Sequence, residues 1–599
     1  MPEFIHVSLA WPYANGDMHA GHFAGCYLPA DIFARYQRMK GNTVLAVSGS
    51  DAHGTPITVE ADRLGITPRE VFEYYHHRFL ETQKQMGISY DLFTHTDTEN
   101  HTRVAQDIFL LLLERGHLHR ETQRMLYSET EHRFLPDRYV EGKCPVCGFE
   151  PARGDQCDNC GSLLDALDLI NPRSKIDGSI PVVRETEHFF LALDDFIGAL
   201  ETYLGSGKEH WRDNVLKVSQ NKAKDLHARP ITRDIEWGIP IPLEGWETKR
   251  MYVWFEAVMG YLTASIEWAK NTGQPDAWKQ WWYNPDAKLY NFIGKDNIEF
   301  HTIIWPAELT GIDGLYANEG DGHLNLPYDV PANEFMNIEG KQFSKSRNWA
   351  VWMPDILERY APDQIRYYIA TTLPETRDSD WSWEGFVMRN NTELLAAWGN
   401  LVNRVLSFAA KHFDGTVPQP GDLRDFDREI IAKTEAGFQT VGALLDAVKL
   451  RDALAEAMAL AREVNAYLDY APWFKVVKQD KQAAATTIYT ALRCIDNLKT
   501  LLAPFVPFSS QRVHEFLGYD GQLFGEQKIV TYEESERTHE ALTIDNSQAI
   551  GHWAAGDLPV GQALRKPEPL FRKLEPEVID EERARLGQPR EVAGLTGKA

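Results

Sequence analysis

Positive charge, long apolar runs and cysteine are all scarce in this 599-residue chain. The longest uninterrupted apolar stretch, Ile108–Leu113, falls far below the roughly 20 residues that span a bilayer. No basic segment followed by an apolar one opens the chain, so neither a secretory signal nor membrane attachment is expected, and the cytoplasm is the expected compartment. Lys and Arg total 62 against 87 Asp and Glu, and the net charge of −25 argues against indiscriminate nucleic-acid binding. A selective RNA partner stays compatible, because a local basic stripe and base stacking can work on an acidic body. No internal repeat or low-complexity tract is present. The length exceeds what one hydrophobic core serves and implies roughly three or four domains.

Four of the six cysteines form Cys144-x2-Cys147-x9-Cys157-x2-Cys160, each pair followed by Gly148 or Gly161. Two such knuckles turn four thiolates toward one point, the ligand set of one structural Zn²⁺ with no position left for substrate. A redox dithiol would need only one pair. Cys26 and Cys494 read as buried thiols.

Chemistry is concentrated in two short segments. His19-Ala20-Gly21-His22 follows the apolar run from Phe4 to Ala10 and a turn at Asn15-Gly16, and it opens a helical pattern from Phe23 to about Met39. Two imidazoles one turn apart share a face, and Gly21 leaves the backbone bare for a flat ring. A helix start favours phosphate through its free N–H groups. The group reads as a cradle for ATP whose histidines stabilise charge as a bond to phosphorus breaks. An H-x-x-H alone would also suit a metal pair or surface histidines. Downstream, Gln342-Phe343-Ser344-Lys345-Ser346-Arg347 follows Gly340-Lys341 and offers cations suited to closing over a pyrophosphate leaving group.

In this order and separation the two segments resemble the H-I-G-H and K-M-S-K-S signatures of the class I aminoacyl-tRNA synthetases. Lys345 stands at that family's second lysine; Gln342 replaces the first, with Lys341 beside it. The resemblance implies amino-acid activation by ATP-Mg²⁺, with His19, His22 and Lys345 catalytic and Gly21 and Arg347 among the ATP contacts. Lys295 and Asp296, in Gly-Lys-Asp at a strand's end, are candidates for phosphate and ribose. Arg233 is a further phosphate candidate, with a structural ion pair to Asp234 as its rival reading.

The first hundred residues alternate apolar strands (Phe4–Ala10, Val44–Val47) with helical patterns, one from about Pro68 to Met86, the rhythm of a parallel α/β sheet. It breaks between about 100 and 232, resumes at Met251–Phe255, and continues through Leu289–Ile293. Residues 1–99 and 233–327 therefore read as two halves of one nucleotide-binding domain; the class I resemblance implies a Rossmann-like catalytic domain split by a connective insertion, 100–232, that bears the zinc knuckle (144–160). Residues 328–385, which carry the QFSKS loop, would link to a helical bundle, 386–540, where strands vanish and which the resemblance implies is the anticodon-binding domain. Leu394, Trp398, Leu401, Val405 and Phe408 mark one stripe of that bundle, and Leu450 through Leu468 another. Residues 541–599 would be a tail of little regular pattern.

Within the class the resemblance is to the methionyl family, on Ala10–Gly16, Ser50–Pro56, the cysteine knuckle, Trp237–Pro240, Tyr252–Tyr261, Phe292–His301, Gly399–Arg404 and Ala471-Pro472-Trp473. It implies a methionine pocket of Ala10, Trp11, Tyr13, Asp51, Trp254, Ala257, Tyr261 and His301, with Trp305 as a further ring. Aromatic walls suit a flexible thioether; Asp51 would pair with the α-ammonium, and Tyr261 with His301 would form an uncharged wall. Trp11 stands where many members have Leu, and Val258 where some have Pro. Asn403 and Trp473 are the implied anticodon contacts, with Ser407 where an Arg sometimes occurs. The implied partners are ATP, L-methionine and methionine tRNA, initiator and elongator, for a monomer. Two other readings stay open: a class I synthetase or nucleotidyltransferase for another acyl substrate, and a non-catalytic tRNA-binding relative.

Overall fold

The structure, a computed structural model, describes residues 2–590 except 137–138, 155–156, 158, 161, 163 and 346. At its centre five parallel strands run in the order Ala332–Asn333, Lys288–Gly294, Phe4–Leu9, Thr43–Ser50, Leu92–His95. Residues 5–9 are all buried, as expected of a strand covered by helices on both faces. Val7 lies between Tyr290 and Ala46, which fixes the register of the three central strands. The expected helix is Pro68–Met86, opened by Thr67, whose side chain accepts from the Glu70 N–H in a capping box.

The apolar run at 251–255 is not a core strand. Arg250–Met251 pairs with Thr232–Arg233 and, through a single bridge at Arg250, with Pro240, and the helix Val253–Asn271 begins at once. Its buried Phe255, Met259, Leu262 and Ile266 recur at helical spacing, a period that a five-residue window cannot separate from a strand. The helix Glu99–Glu114 packs against it. The long antiparallel pair Leu118–Ser128 and Val182–Leu191 then carries the chain out to a small sheet around the cysteines.

Helices Asn400–His412, Asp425–Asp446, Leu450–Tyr470 and Lys481–Leu502 form the bundle, and both predicted stripes are buried in it. Strands do not vanish there, however. Glu526–Glu533 and Thr538–Asp545 make a hairpin that returns to the catalytic sheet, with Leu542 opposite Phe93. Its outer strand is half-exposed, and its two apolar residues Ile529 and Val530 stand among polar ones, so it carries no apolar run to announce it. The tail is likewise more ordered than expected. A helix spans Glu577–Arg585, and Arg590 pairs with Asp17 at 2.6 Å and Asp355 at 2.5 Å; residues 591–599 lie outside the described residues. No helix among the described residues is long and apolar enough to cross a membrane.

Candidate active site

The end of strand Phe4–Leu9 turns through Ala10–Met18 and delivers His19 to the start of a helix. The later signature reaches the same place. Ala20 N–H donates to Val351 O at 2.9 Å, and Met353 N–H to Met18 O at 2.9 Å. Phe343 stacks on the His19 ring at 4.6 Å, and His19 stacks on His22 at 3.8 Å. Lys345 Nζ donates to Asn15 Oδ1 at 3.2 Å, and a Cβ on Gly16 would stand 3.4 Å from that ammonium. Segments more than 300 residues apart thus converge on one cleft. Ser346 lies outside the described residues.

The cleft holds two confluent cavities. One, of about 400 Å³, is walled by His19, Gly21, His22, Asp296, Gln342 and Phe343. The other, of about 330 Å³, is walled by Tyr13, Asp51, Trp254, Ala257, Tyr261, His301 and Lys345. Ala10, Trp11, His22 and Asp296 belong to both. Asp296 folds back over its own strand end, where a Cβ on Gly294 would meet Asp296 Oδ1 at 2.7 Å.

Neither imidazole carries charge near neutrality. Burial, then the Lys345 ammonium, push His22 down to about 3, and burial with His22 pushes His19 well below the usual range. They offer N–H dipoles, and the positive charge comes from Lys345. Much of the Lys345 side chain is exposed, yet its ammonium is pushed down to about 8, chiefly by desolvation against the cleft wall. Protonated below that value and neutral above it, Lys345 should, on the ATP role expected from the sequence, give kcat/KM for ATP an alkaline limb that falls as pH rises through about 8, because kcat/KM reports groups of the free enzyme. A profile flat across that range is the contrary result.

In the second cavity, His301 Nδ1 faces the Asn297 carbonyl at 2.9 Å and must carry the proton. Its Nε2 then accepts from the Tyr261 hydroxyl at 2.6 Å. Burial holds His301 down at about 4, so the wall is uncharged, as the sequence implied. Asp51 is buried, with Oδ1 accepting from the His53 N–H at 3.1 Å. Burial and the nearby Glu256 carboxylate push Asp51 well above the usual range. Glu256 is itself ionised. Against burial, which would raise it, His53 and His101 lower it, each presenting a ring nitrogen at 2.7 Å. An incoming cation would favour the Asp51 carboxylate, as His53 beside it already does in part. Trp11 fills a slot bounded by glycines, where a Cβ on Gly260 would lie 2.6 Å from its ring and one on Gly49 nearer still.

Other predicted residues stand elsewhere. Trp305 is a core residue, packed edge-on against Trp282 and absent from the pocket wall. Lys295 is held at the rim by Glu334 at 2.7 Å and Asp378 at 2.8 Å. Arg347 is exposed beside Ser344, and Lys341 lies over the Trp349 ring while Gln342 lines the cavity. Asp234 is held by Lys249 and His188, and Arg233 lies over the Tyr252 ring and lines a neighbouring cavity. Sequence reasoning placed Asn15 and Phe343 inside the quoted motifs without the contacts they make with Lys345 and His19, and it missed the Glu256 network, which carries no local signal.

The family model described as "tRNA synthetases class I (M)" matches residues 5–406, and that of the "Anticodon binding domain of methionyl tRNA ligase" matches 417–591. The methionine–tRNA ligase of Thermomicrobium roseum is 57% identical over 590 residues, covering 98% of this chain and 99% of the relative. That of Roseiflexus castenholzii is 55% identical over 597 residues, covering 98% and 99%. The chain belongs to the methionyl family of class I aminoacyl-tRNA synthetases. The Mycobacterium tuberculosis methionyl-tRNA synthetase bound by methionyl-adenylate shares its fold at a TM-score of 0.73 and 23% identity, covering 96% of this chain and 100% of that one.

In the synthetase's insertion, the four sulfurs lie within 4.8 Å of one another. Cys144 to Cys160 measures 3.9 Å and Cys147 to Cys157 3.6 Å, bracketing the ~3.8 Å edge of a thiolate tetrahedron with metal–sulfur bonds of about 2.3 Å. The cluster can hold one metal ion. In the bundle, Trp473 is half-buried, donating its indole N–H to Leu468 O at 2.8 Å and lying edge-on to Phe408 at 4.9 Å. Asn403 sits on the helix that carries Phe408, half-exposed, with Ser407 Oγ 3.4 Å away. Next to Trp473, Phe474 is 68% exposed and Tyr470 63%, two rings the sequence reading did not single out.

Proposed function

We propose that the chain is a methionine–tRNA ligase, forming methionyl-adenylate and pyrophosphate from L-methionine and ATP and then esterifying the 3′ end of methionine tRNA, initiator and elongator alike. The observation carrying this reading is the confluence of the His19–His22 cavity with the Asp51–Tyr261–His301 cavity, with His22 and Asp296 in both walls and Lys345 in the second. The full-length likeness to named methionine–tRNA ligases supports the substrate.

A methionine carboxylate oxygen attacks the α-phosphorus, the bond to the pyrophosphate oxygen breaks, and pyrophosphate leaves with the electron pair. Asp51 holds the ammonium, and Tyr13, Trp254 and the Tyr261–His301 pair wall the thioether. His19, His22 and the Gly21 backbone line the phosphates, Lys345 meets the leaving group, and Asp296 accepts from a ribose hydroxyl. Lys295 and Arg347 reach ATP only after a change at the rim. Catalysis here is positioning plus charge stabilisation, with no protein nucleophile. Mg²⁺ carried by ATP would neutralise phosphate charge. One Zn²⁺ on Cys144, Cys147, Cys157 and Cys160 would be structural, since four thiolates saturate it.

We assign residues 1–99 and 233–327 to the catalytic halves, counting with them the helix Glu99–Glu114 that packs there. The insertion, the linking 328–385 region with its signature loop, the 386–540 bundle and the following tail complete the chain, acting as a cytoplasmic monomer. Labelled methionine should become esterified to methionine tRNA in the presence of ATP, and periodate oxidation of the tRNA 3′ end should abolish it; unimpaired labelling of oxidised tRNA would contradict the reading. With Asn403 and Trp473 as anticodon contacts, Trp473→Ala should slow charging about tenfold, as loss of one base-stacking platform does, while sparing ATP–pyrophosphate exchange. Equal loss of both activities would count against that role.

A further inference from the structure

Lys295 stands at the edge of the phosphate cavity but takes no part in its wall, although its chain neighbours Gly294 and Asp296 line it, as do Glu334 and Phe335. Its ammonium is turned to the rim instead, where Glu334 Oε2 accepts from it at 2.7 Å and Asp378 Oδ1 at 2.8 Å. The Phe335 ring faces the same ammonium, with its centre 4.4 Å from Nζ. Two carboxylates around one ammonium leave this group with a net negative charge beside a cavity assigned to phosphates.

The carboxylates are fixed and the ammonium is not. Glu334 N–H donates to Pro374 O at 2.8 Å and Ser379 N–H to Phe335 O at 2.9 Å, and the strands Met336–Ile338 and Ser379–Trp381 continue from there as a parallel pair. Asp378 is tied into this seam, since its Oδ1 also accepts from the Phe335 N–H at 3.0 Å. Glu334 Oε1 accepts from Asn214 Nδ2, in the insertion, at 2.8 Å. Lys295, by contrast, carries its charge on a flexible four-carbon stem. The two arms also differ in strength. The Glu334 side chain is 16% exposed and that of Asp378 48%, so the Asp378 contact is the more screened and the easier to break. Phosphate oxygens offer an ammonium charge-assisted bonds of the same kind.

We propose that Asp378 and Glu334 form a latch that withholds Lys295 from the phosphate cavity of the free protein, and that Asp378, a positioning residue, is the arm that opens when a triphosphate arrives. The inference rests on the ligase reading above, which makes ATP that triphosphate. With His19 and His22 neutral, Lys345 is the cation already in place, and Lys295 is a second one that ATP recruits on binding. Breaking the ion pair lowers the population of the free protein that is ready for ATP, and apparent affinity falls by that fraction. The latch therefore acts on ATP binding and leaves the chemical step alone.

Asp378→Asn tests the latch, because the amide oxygen keeps an acceptor for the Phe335 N–H while the charge is lost. In methionine-dependent ATP–pyrophosphate exchange, KM for ATP should fall about threefold, within what one part-exposed ion pair contributes, with kcat and the KM for methionine held. A second readout follows the ammonium itself. Reductive methylation with carbon-13 labels the lysines, and the Lys295 resonance is assigned by its loss in Lys295→Arg. Adding α,β-methylene-ATP should shift that resonance in wild type, and in ligand-free Asp378→Asn it should already be displaced toward the bound position. An unchanged or raised KM for ATP in Asp378→Asn overturns the inference. So does a Lys295 resonance that the ATP analogue leaves in place, since a drop in KM would then report only lost repulsion between carboxylate and ATP. Should Asp378→Asn lose its cooperative thermal transition, Asp378→Ser carries the same expectations. Absence of methionine-dependent exchange in the wild-type protein would instead remove the ligase reading, while the resonance shift, which needs no turnover, would still report on the latch.

Discussion

Replacing Lys345 with alanine should lower methionine-dependent ATP–pyrophosphate exchange by about 10²–10³-fold, the cost of removing one preorganised group from a developing charge. Methionine affinity should hardly change, because Lys345 lies on Asn15 at the wall of the amino-acid cavity near His22, while Asp51 and the Tyr261–His301 pair hold the amino acid. Since His19 and His22 are uncharged near neutrality, no other group among the described residues lining these two cavities supplies a full positive charge there. Fluorescence titration with methionine, read through the cavity's Trp11 and Trp254, separates the two effects. A variant that keeps its exchange rate would remove the loop from the chemistry.

Asp51→Asn should raise KM for methionine by about a hundredfold, in the range set by truncating one partner of a buried hydrogen-bonded charge pair. The Asp51 carboxyl sits beside an ionised Glu256 and away from solvent, an arrangement unfavourable to its charge until an ammonium arrives. That ties the expected loss to the α-amino group. The desamino analogue, 3-(methylthio)propionate, should bind wild type and variant alike. An Asp51→Asn enzyme with unaltered methionine KM, or one that also loses affinity for the analogue, would assign Asp51 a merely structural role.

The sequence made the two signatures legible for an identifiable reason, whereas the role of Asp51 came only through the family resemblance. Both signatures lie in turns whose glycines, histidines and lysine are dictated by the ligand rather than by a periodic core, and the cysteine spacing is fixed by a metal's geometry. The Tyr261–His301 pair was legible only through the family resemblance. What stayed hidden depends on long-range pairing. Lys295 looks like a free phosphate ligand until Asp378, 83 positions away, is placed against it. Trp305 is indistinguishable from a pocket ring until Trp282 packs on it. Neither the Glu256 network nor the pairing of Leu542 with Phe93 leaves a local pattern, because each joins parts of the chain that meet only in the folded sheet.

The central claim is that one cleft joins the histidine signature, the Lys345 loop and a methionine-shaped wall. ATP–pyrophosphate exchange measured with each of the twenty amino acids in turn tests it most directly. The account predicts robust exchange with methionine and little with any other amino acid. Exchange driven best by a different amino acid, or by none of them, would contradict it.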